Sequence, residues 1–560
     1  MRVLLYYVDM HIARASWPSA NGKVYESIYL RESYREGGRV RKRNIANLTH
    51  CDPQEIAAIE LALQSKGNLA VLGSVDNIQL TQGLSVGAVW TVYETARRLG
   101  IPKVLGHDFD GQLALWQVLA RVLEQGSRLS AVRLAQVHAA CDVIGIRRGF
   151  DENNLYDNLT WLSARQPVIE DRLFAARSGP RKPELFLYDV TSSYLEGDKN
   201  ALGAYGYNRD GKKGKKQIVI GLLCDEYGTP VSTEVFRGNT QDTRTFAAQV
   251  KKASERFGCE RVTFVGDRGM IRSGQLEELS RAGFHYITAI TKPQIDTLLA
   301  SGLLQMELFA AEVCEVQQDG VRYVLRRNPL RAEQLAASRA DKQARAGRLL
   351  RERNDYLAQH PRAKVSTAEK TLRAKIAQMK VEAWLHVATE GRTLKLTVNQ
   401  PALDDAARLD GCYVIKTDLP ENAASKHVVH DRYKDLAEVE QVFRTCKTAH
   451  LETRPIHVRT EEHTRAHVLV VMLAYLIRRE LSRAWMPLDL TVEEGLHQLQ
   501  TLCSTEIKVQ GGASCLRIPT PSDASRALLK ALEMNLPDAL PHSDTRVVTR
   551  KKLPERRKPR

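Results

Sequence analysis

Two apolar runs that each end in an aspartate constrain this chain more than any other feature. LFLY runs into Asp189 and VTFVG runs into Asp267, and short apolar runs rich in branched and aromatic residues are the signature of buried strands. Around them the pattern reads strand (ELFLYDVTSSYL), two further apolar runs (QIVIGLLCDEYGTPVSTEVF), helix (TRTFAAQVKKASERFG), strand (RVTFVGDRGM), helix (SGQLEELSRAG) and strand (FHYITAIT). Asp225, Glu226 and Gly228 supply turn residues between the second and third strands, which should therefore pair antiparallel, whereas the helix–strand alternation beyond them calls for parallel neighbours. The fold class expected is α/β with a mixed sheet. In such sheets ligands gather at the carboxyl ends of strands. Two carboxylates delivered there could share a hard cation through oxygen ligands; either aspartate alone is weak evidence, with a strand-end cap as the plainer reading.

This order of elements is the first half of a ribonuclease H-like core, expected over 181–295. A chain of 560 residues exceeds one ordinary core and suggests about three to five folded units. Residues 1–75 alternate in short segments and read as a small β-rich unit with a basic turn, EGGRVRKR; 76–180 repeat apolar residues at helical spacing, with Arg on the remaining face, as a helical DNA-binding region. An insertion foreign to the core occupies 296–408, where RAEQLAASRADKQARAGRLLRERNDYLAQ reads either as an arm over DNA or as a solvated helix laced with local ion pairs. The core resumes over 409–503 at GCYVIKT, and 504–560 form a C-terminal region whose basic tail, RKKLPERRKPR, is expected to be disordered.

A third carboxylate comes from the helix after GCYVIKT. Leu436, Val439, Phe443 and Cys446 recur at helical spacing and mark its buried stripe. Glu440 falls beside that stripe and Glu438 on the opposite, solvent face. Seven residues is just short of two turns, so Tyr433, Glu440 and Lys447 line one edge of the helix. Cleaving a phosphodiester by in-line attack requires stabilising both the attacking and the leaving oxygen. Two Mg²⁺ ions roughly 3.5 to 4 Å apart do so when carboxylates hold them. Asp189 would bridge both ions, with Asp267 and Glu440 each holding one side. Lys447 would meet a phosphate and Tyr433 the backbone near the scissile bond; a surface ion pair and an amphipathic edge residue are the plainer readings of these two.

Charge agrees with a nucleic-acid partner. Lys and Arg number 82 against 66 Asp and Glu, with a pI near 9.4, as a polyphosphate partner selects. Charge alone leaves catalysis open. The run GYNRDGKKGKKQ nearly spells a phosphate-binding loop, but Lys213 replaces the required Ser or Thr and a strand follows, so the nucleotide-binding reading fails on context. Lys212, Lys213, Lys215 and Lys216 read instead as a clamp on DNA phosphates, in preference to a merely solvated loop. Nine scattered cysteines with no CxxC pair suggest neither a zinc ribbon nor a disulfide scaffold. His463 and His467 are four apart but lack the glutamate of a HExxH site, so helix packing is favoured over zinc. No uncharged run of 18 residues occurs, which argues against membrane insertion.

Together YDVTSSY around Asp189, VGDRGM around Asp267, and the evenly spaced Tyr433, Glu440 and Lys447 resemble the three acidic motifs of the DDE insertion-sequence transposases, in particular the cut-and-paste group whose third motif is called YREK. Tyr, Glu and Lys match. Leu436 stands where that group has Arg, and Arg432, Lys434 and Arg444 are the nearby candidates to replace it. The likeness spans about 181–480, and its joint spacing is more specific than any one motif. It implies metal binding and catalysis by Asp189, Asp267 and Glu440 with two Mg²⁺ ions, for which Mn²⁺ could substitute. DNA contacts are expected at Tyr433, Lys447, Arg444 and the four lysines. Double-stranded DNA would be the partner, both terminal inverted repeats and target, with nicking, hairpin formation and opening, and strand transfer in one site. Leu436 leaves the hairpin step open. A homodimer on paired ends and a location in the bacterial cytoplasm at the nucleoid complete the expectation. Two other readings remain: a transposase-derived DNA-binding protein that no longer cuts, and a ribonuclease H-like nuclease without strand transfer.

Overall fold

The computed structural model describes residues 7–18, 24–36, 39–64, 78–178, 182–268, 270–271, 273–448, 450–454, 457–509, 514–541 and 545–550. Of the basic tail only Arg550 is described, and 551–560 lie outside these residues. They divide into two compact units, one of Met1–Thr95, Val132–Asp151 and Leu481–Arg560, the other of Ala96–Ala131 and Glu152–Glu480.

In the first unit β1 (Tyr7–Pro18), β2 (Val24–Glu36) and β3 (Arg39–Asn47) form an antiparallel sheet with β2 at its centre. Every residue of β3 is exposed, among them Arg39, Arg41, Lys42 and Arg43. A second sheet pairs β4 (Ile78–Ser85) with the strand Cys503–Val509, which pairs in turn with Ser514–Arg517. The backbone N–H groups of Val86 and Gly87 both donate to Leu502 O, at 2.9 and 3.1 Å. Thus segments more than 400 residues apart share one sheet, a pairing that local patterning does not announce.

The second unit is built on an eight-stranded sheet. Its strands are β5 (Leu185–Tyr194), β6 (Gln217–Asp225), β7 (Pro230–Arg237), β8 (Thr263–Gly266), β9 (His285–Ala289), β10 (Cys314–Gln318), β11 (Val321–Arg327) and, after the separate hairpin β12 (Leu385–Glu390) and β13 (Thr393–Val398), β14 (Cys412–Thr417). They lie in the order β10-β11-β14-β9-β8-β5-β6-β7. β5, β6 and β7 form an antiparallel meander, while β8 and β9 run parallel to β5. This is the ribonuclease H-like mixed sheet, with the antiparallel and parallel parts where the turn residues and crossover helices put them. Along β5 the side chains alternate. Phe186, Tyr188 and Val190 enter a core with Phe246, Phe257 and Phe264, where Phe246 and Phe264 meet edge to face at 5.3 Å. Each such ring contributes about 1.5–3 kcal/mol by its burial. The Tyr188 ring lies over Gly221 of β6, where any Cβ would collide with it. Asp189, Thr191 and Ser193 have the opposite face.

Between 296 and 408, β10 and β11 join the main sheet through β14. The remainder packs on itself: helices Pro329–Gln359 and Val365–Gln378 and the hairpin β12–β13 enclose Leu357, Leu372, Ile376, Trp384 and Leu385. The long Arg-rich helix buries only Ala346 and Leu357, so most of its surface faces solvent. Helices that carry or flank the charged clusters of the chain include α1 (Phe109–Leu123), α2 (Arg128–Val137), α3 (Glu152–Ser178), α4 (Asp242–Lys251), α5 (Lys426–Lys434), α6 (Leu436–Lys447) and α7 (Glu461–Trp485). No helix of the described residues is long and apolar enough to cross a membrane.

Candidate functional site

Register brings the two aspartates together. β5 pairs with β8 in parallel from Leu185 with Thr263 to Tyr188 with Gly266, and the next residues on the two chains are Asp189 and Asp267. Neighbouring strands run about 4.8 Å apart. β8 stops at Gly266, but β5 continues to Tyr194 because β6 still pairs with it on the other side. Asp189 therefore stands in mid-strand, not at a strand end. It is half-buried and accepts a hydrogen bond from Val190 N at 2.7 Å. Burial first, then the Asp267 and Glu440 charges, push its carboxyl up to about 7, while the Val190 amide and the Arg209 guanidinium pull the other way. Asp267 is exposed and accepts from Arg268 N at 2.7 Å.

The third carboxylate arrives on α6, whose Val439, Val442, Phe443 and Cys446 are buried on a helix packed against β5. Glu440 projects beside this stripe into solvent. Glu438 is exposed as well, yet its stem packs against the β6–β7 turn, where a Cβ on Gly228 would strike it; Gly228 also sits at φ +67°, which favours glycine. The expectation of one helix edge carrying Tyr433, Glu440 and Lys447 needs a correction. Tyr433 belongs to α5, and Asp435 forms a joint between α5 and α6, where Glu438 N donates to Asp435 O in a tight turn that interrupts the i→i−4 ladder. Tyr433 nevertheless reaches the same place: burial, and then the nearby Asp267 carboxylate, push its hydroxyl up.

Lys447 pairs with Asp210 and donates to Thr191 Oγ1 at 3.2 Å. Of the four loop lysines, Lys215 meets Glu196 Oε2 at 3.2 Å, Lys216 donates to Asp198 O at 3.1 Å, Lys212 lies 5.8 Å from the Tyr194 ring and Lys213 faces solvent. Arg444 is exposed. Arg432, one candidate for the missing motif arginine, is engaged with Asp435 at 3.4 Å and Glu226 at 3.6 Å.

Several neighbours escaped the sequence reading. Arg209 bridges to Asp242 at 2.6 Å and acts electrostatically on Asp189. Asp210 neutralises Lys447, and Tyr205 and Tyr207 stand exposed in the same loop. Only the closeness of this loop to the first strand in sequence hinted at them. The histidines of α7 do not converge: His463 meets Thr160 Oγ1 at 3.1 Å and His467 meets Thr453 O at 3.1 Å. Buried His430, just before Tyr433, is held by Tyr413, Arg326 and Asp431.

Oxygen-only donors suit a hard divalent cation. Among the described residues, however, no three His, Cys, Asp or Glu already stand close enough to hold an ion together. The Asp267 and Glu440 side chains face solvent.

The family described as Transposase DDE domain matches residues 180–477, more than half of the chain and all of β5 to β14. The chain belongs to the DDE transposases. A second match, to the N-terminal domain of IS1634 family transposases, covers residues 18–71 and marks it as an insertion-sequence transposase of that kind. Among solved structures the transposase is similar to a piggyBac transposase synaptic complex with hairpin DNA, at 9% identity and a TM-score of 0.33, over 75% of this chain and 70% of that one. No curated protein matches it. The transposase is thus a DNA-cleaving enzyme that excises and inserts an insertion sequence, and its family depends in general on divalent metal.

Proposed function

We propose that the transposase performs both cutting and joining at the end of β5 and β8, with Asp189, Asp267 and Glu440 holding two Mg²⁺ ions. The observation that carries this is the parallel register that sets Asp189 beside Asp267, together with the electrostatic pressure of Glu440 on Asp189. Bound there, the ions would stabilise charge on the attacking and leaving oxygens of an in-line displacement. The chain's own groups do the rest. Tyr433, beside Asp267, orients the DNA backbone at the scissile bond. Lys447 exchanges Asp210 for a phosphate oxygen when DNA enters, and Arg444 and the lysines of 212–216 bind the flanking strand. Exposed Tyr205 and Tyr207 offer stacking faces to unpaired bases.

In the same reading, 181–295 and 409–503 are the two halves of the catalytic core and 296–408 an insertion between them. Residues 1–75 and 76–180 recognise the terminal inverted repeats, with the basic β3 strand as one contact surface. Two copies act together because paired transposon ends present a symmetric substrate, in the cytoplasm at the nucleoid.

The test is cleavage and joining of a labelled transposon-end duplex in Mg²⁺, comparing wild type with Asp189→Ala, Asp267→Ala and Glu440→Ala where all four bind the duplex equally. Loss of cutting in each variant supports the three-carboxylate site. Normal cutting by Glu440→Ala removes the third ligand from the assignment.

A further inference from the structure

A second charged cluster lies in the larger unit, away from the carboxylates. A cavity of about 140 Å³ is lined by Arg121, Arg128, Glu452, Arg454, His457 and His467, among others. Arg121 comes from the last turn of α1 and Arg128 from the first residue of α2, and they are only 5% and 4% exposed. Each is half satisfied: Arg121 Nη2 donates to Gly126 O at 2.8 Å and Arg128 Nη2 to His467 Nδ1 at 3.4 Å. The Nε atoms of both are buried without a hydrogen-bond partner among the described residues.

The lining pairs neither of them with a carboxylate, although the Glu452 charge favours Arg121. Its one carboxylate, Glu452, is already gripped by Arg454 through Nε at 2.9 Å and Nη2 at 2.8 Å, and Glu452 holds a left-handed backbone at φ +44°, a conformation that costs energy for a residue with a Cβ. His467 adds no charge. An arginine can only donate and a carbonyl only accept, so the ring that bridges Arg128 and Thr453 O is neutral, with its proton on Nε2. Arg454 is paired with Glu196 as well, at 2.9 Å, so the two enclosed guanidiniums left without a carboxylate of their own are Arg121 and Arg128. Burial and the nearby Arg121 charge hold the Arg128 pKa down, to about 9, and burial brings Arg121 to about 10. Like charges so enclosed need a counter-ion, and the planar fork of arginine fits the oxygens of a phosphate.

We propose that this cavity binds a phosphate monoester, either free inorganic phosphate or the terminal phosphate of a DNA strand. Its volume is roughly ten times the smallest that holds one water, enough for a phosphate and the atoms next to it. It is distinct from the carboxylate site. Arg454, which lines it, also contacts Tyr194, five residues beyond Asp189 and so about 17 Å along the strand.

The experiment measures melting of the full chain in inorganic phosphate against chloride at matched ionic strength, for wild type, Arg121→Met and Arg128→Met. A ligand that binds only the folded state raises its melting temperature. Wild type should gain several degrees from phosphate beyond the general salting effect that the variants share, and Arg128→Met should be the more stable protein in chloride. An equal phosphate response in all three overturns the site. Should the variants fail to fold, broadening of the phosphate ³¹P resonance by wild type, reversed by sulfate, supports the site, and an unbroadened line overturns it. A second arm compares short duplexes ending in a 5′-phosphate or a 5′-hydroxyl. A several-fold preference for the phosphorylated end that disappears in Arg128→Met assigns the DNA terminus; equal binding alongside a phosphate-dependent melting shift assigns the free ion.

Discussion

The larger unit crowds like charges in two places, and they relieve the crowding differently. At the β5–β8 end burial of Asp189 first, and then the Asp267 and Glu440 charges, raise its carboxyl to about 7, so that it takes up a proton. In the arginine cavity the cations are enclosed, and even with Arg128 lowered to about 9 the guanidiniums remain charged at neutral pH. An acid cluster can wait in a protonated state until its cation arrives. An arginine cluster has no such resting form and stays destabilising until an anion sits in it. On the proposed assignments, the cation site would be filled on demand and the anion site most of the time.

The largest effect that tests this contrast is catalytic. Removing any one of Asp189, Asp267 or Glu440 should lower cleavage by roughly 10³-fold or more while duplex affinity changes little, as measured by single-turnover cutting and by titration of a labelled duplex. Next comes stability without metal. Asp189 has a folded pKa above its usual 3.8, so between about pH 4 and 7 the folded state holds a proton that the unfolded chain has released. Stability contributed by that proton is present at low pH and lost as pH rises through about 7. Asp189→Asn has no such term. Its advantage over wild type in urea unfolding should grow from pH 4 and level off above 7 at about 2 to 4 kcal/mol. Added Mg²⁺ should stabilise wild type and leave Asp189→Asn unmoved. An advantage independent of pH would break the comparison.

Around the cavity the sign reverses. His467 is pushed well below its usual range by burial and by Arg121 and Arg128, so the unfolded chain binds the extra proton as pH falls below about 6.5. The stability of its neutral form is present above that pH and is lost on acidification, by up to about 2 kcal/mol at pH 5. His467→Gln, whose amide can still accept from Arg128 and donate to Thr453, should flatten that slope in urea titrations between pH 5 and 7. A slope unchanged by the substitution would assign the acid sensitivity elsewhere.

What the sequence reveals of these two places differs for a physical reason. Period-two alternation and turn residues report which side chains are buried and which strands are neighbours, so the mixed sheet around Asp189 and Asp267 and the buried stripe of α6 are legible from Leu436, Val439, Phe443 and Cys446. Periodicity says nothing about partners far apart in the chain. The pairing of β4 with Cys503–Val509 and the attachment of β10 and β11 through β14 are of that kind. So is the cavity: Arg121 reads as the polar face of an amphipathic helix, yet it is buried, because Arg128, Arg454 and His467 come to it from three other segments. The joint at Asp435 is hidden because Leu436 and Val439 keep the helical spacing while the hydrogen-bond ladder breaks beneath them.

The smallest effects belong to the lysines of 212–216, which sharpen the contrast by carrying the same charge as the cavity in water instead of in the interior. Exposed cations repel weakly and contribute to DNA binding by releasing counter-ions, so each lysine that meets a phosphate should change the slope of log affinity against log salt by about one. The structure grades them. Lys213 faces solvent, Lys212 lies over the Tyr194 ring, and Lys215 already meets Glu196 at 3.2 Å. Lys213→Ala should therefore flatten the salt dependence by close to one unit and Lys215→Ala by less, since its ammonium gives up an acidic partner to reach the DNA. Affinities measured from 50 to 200 mM salt separate the two. Equal losses for both would mean that the Lys215–Glu196 pair opens freely in the complex, and no loss for either would move the phosphate clamp off this loop.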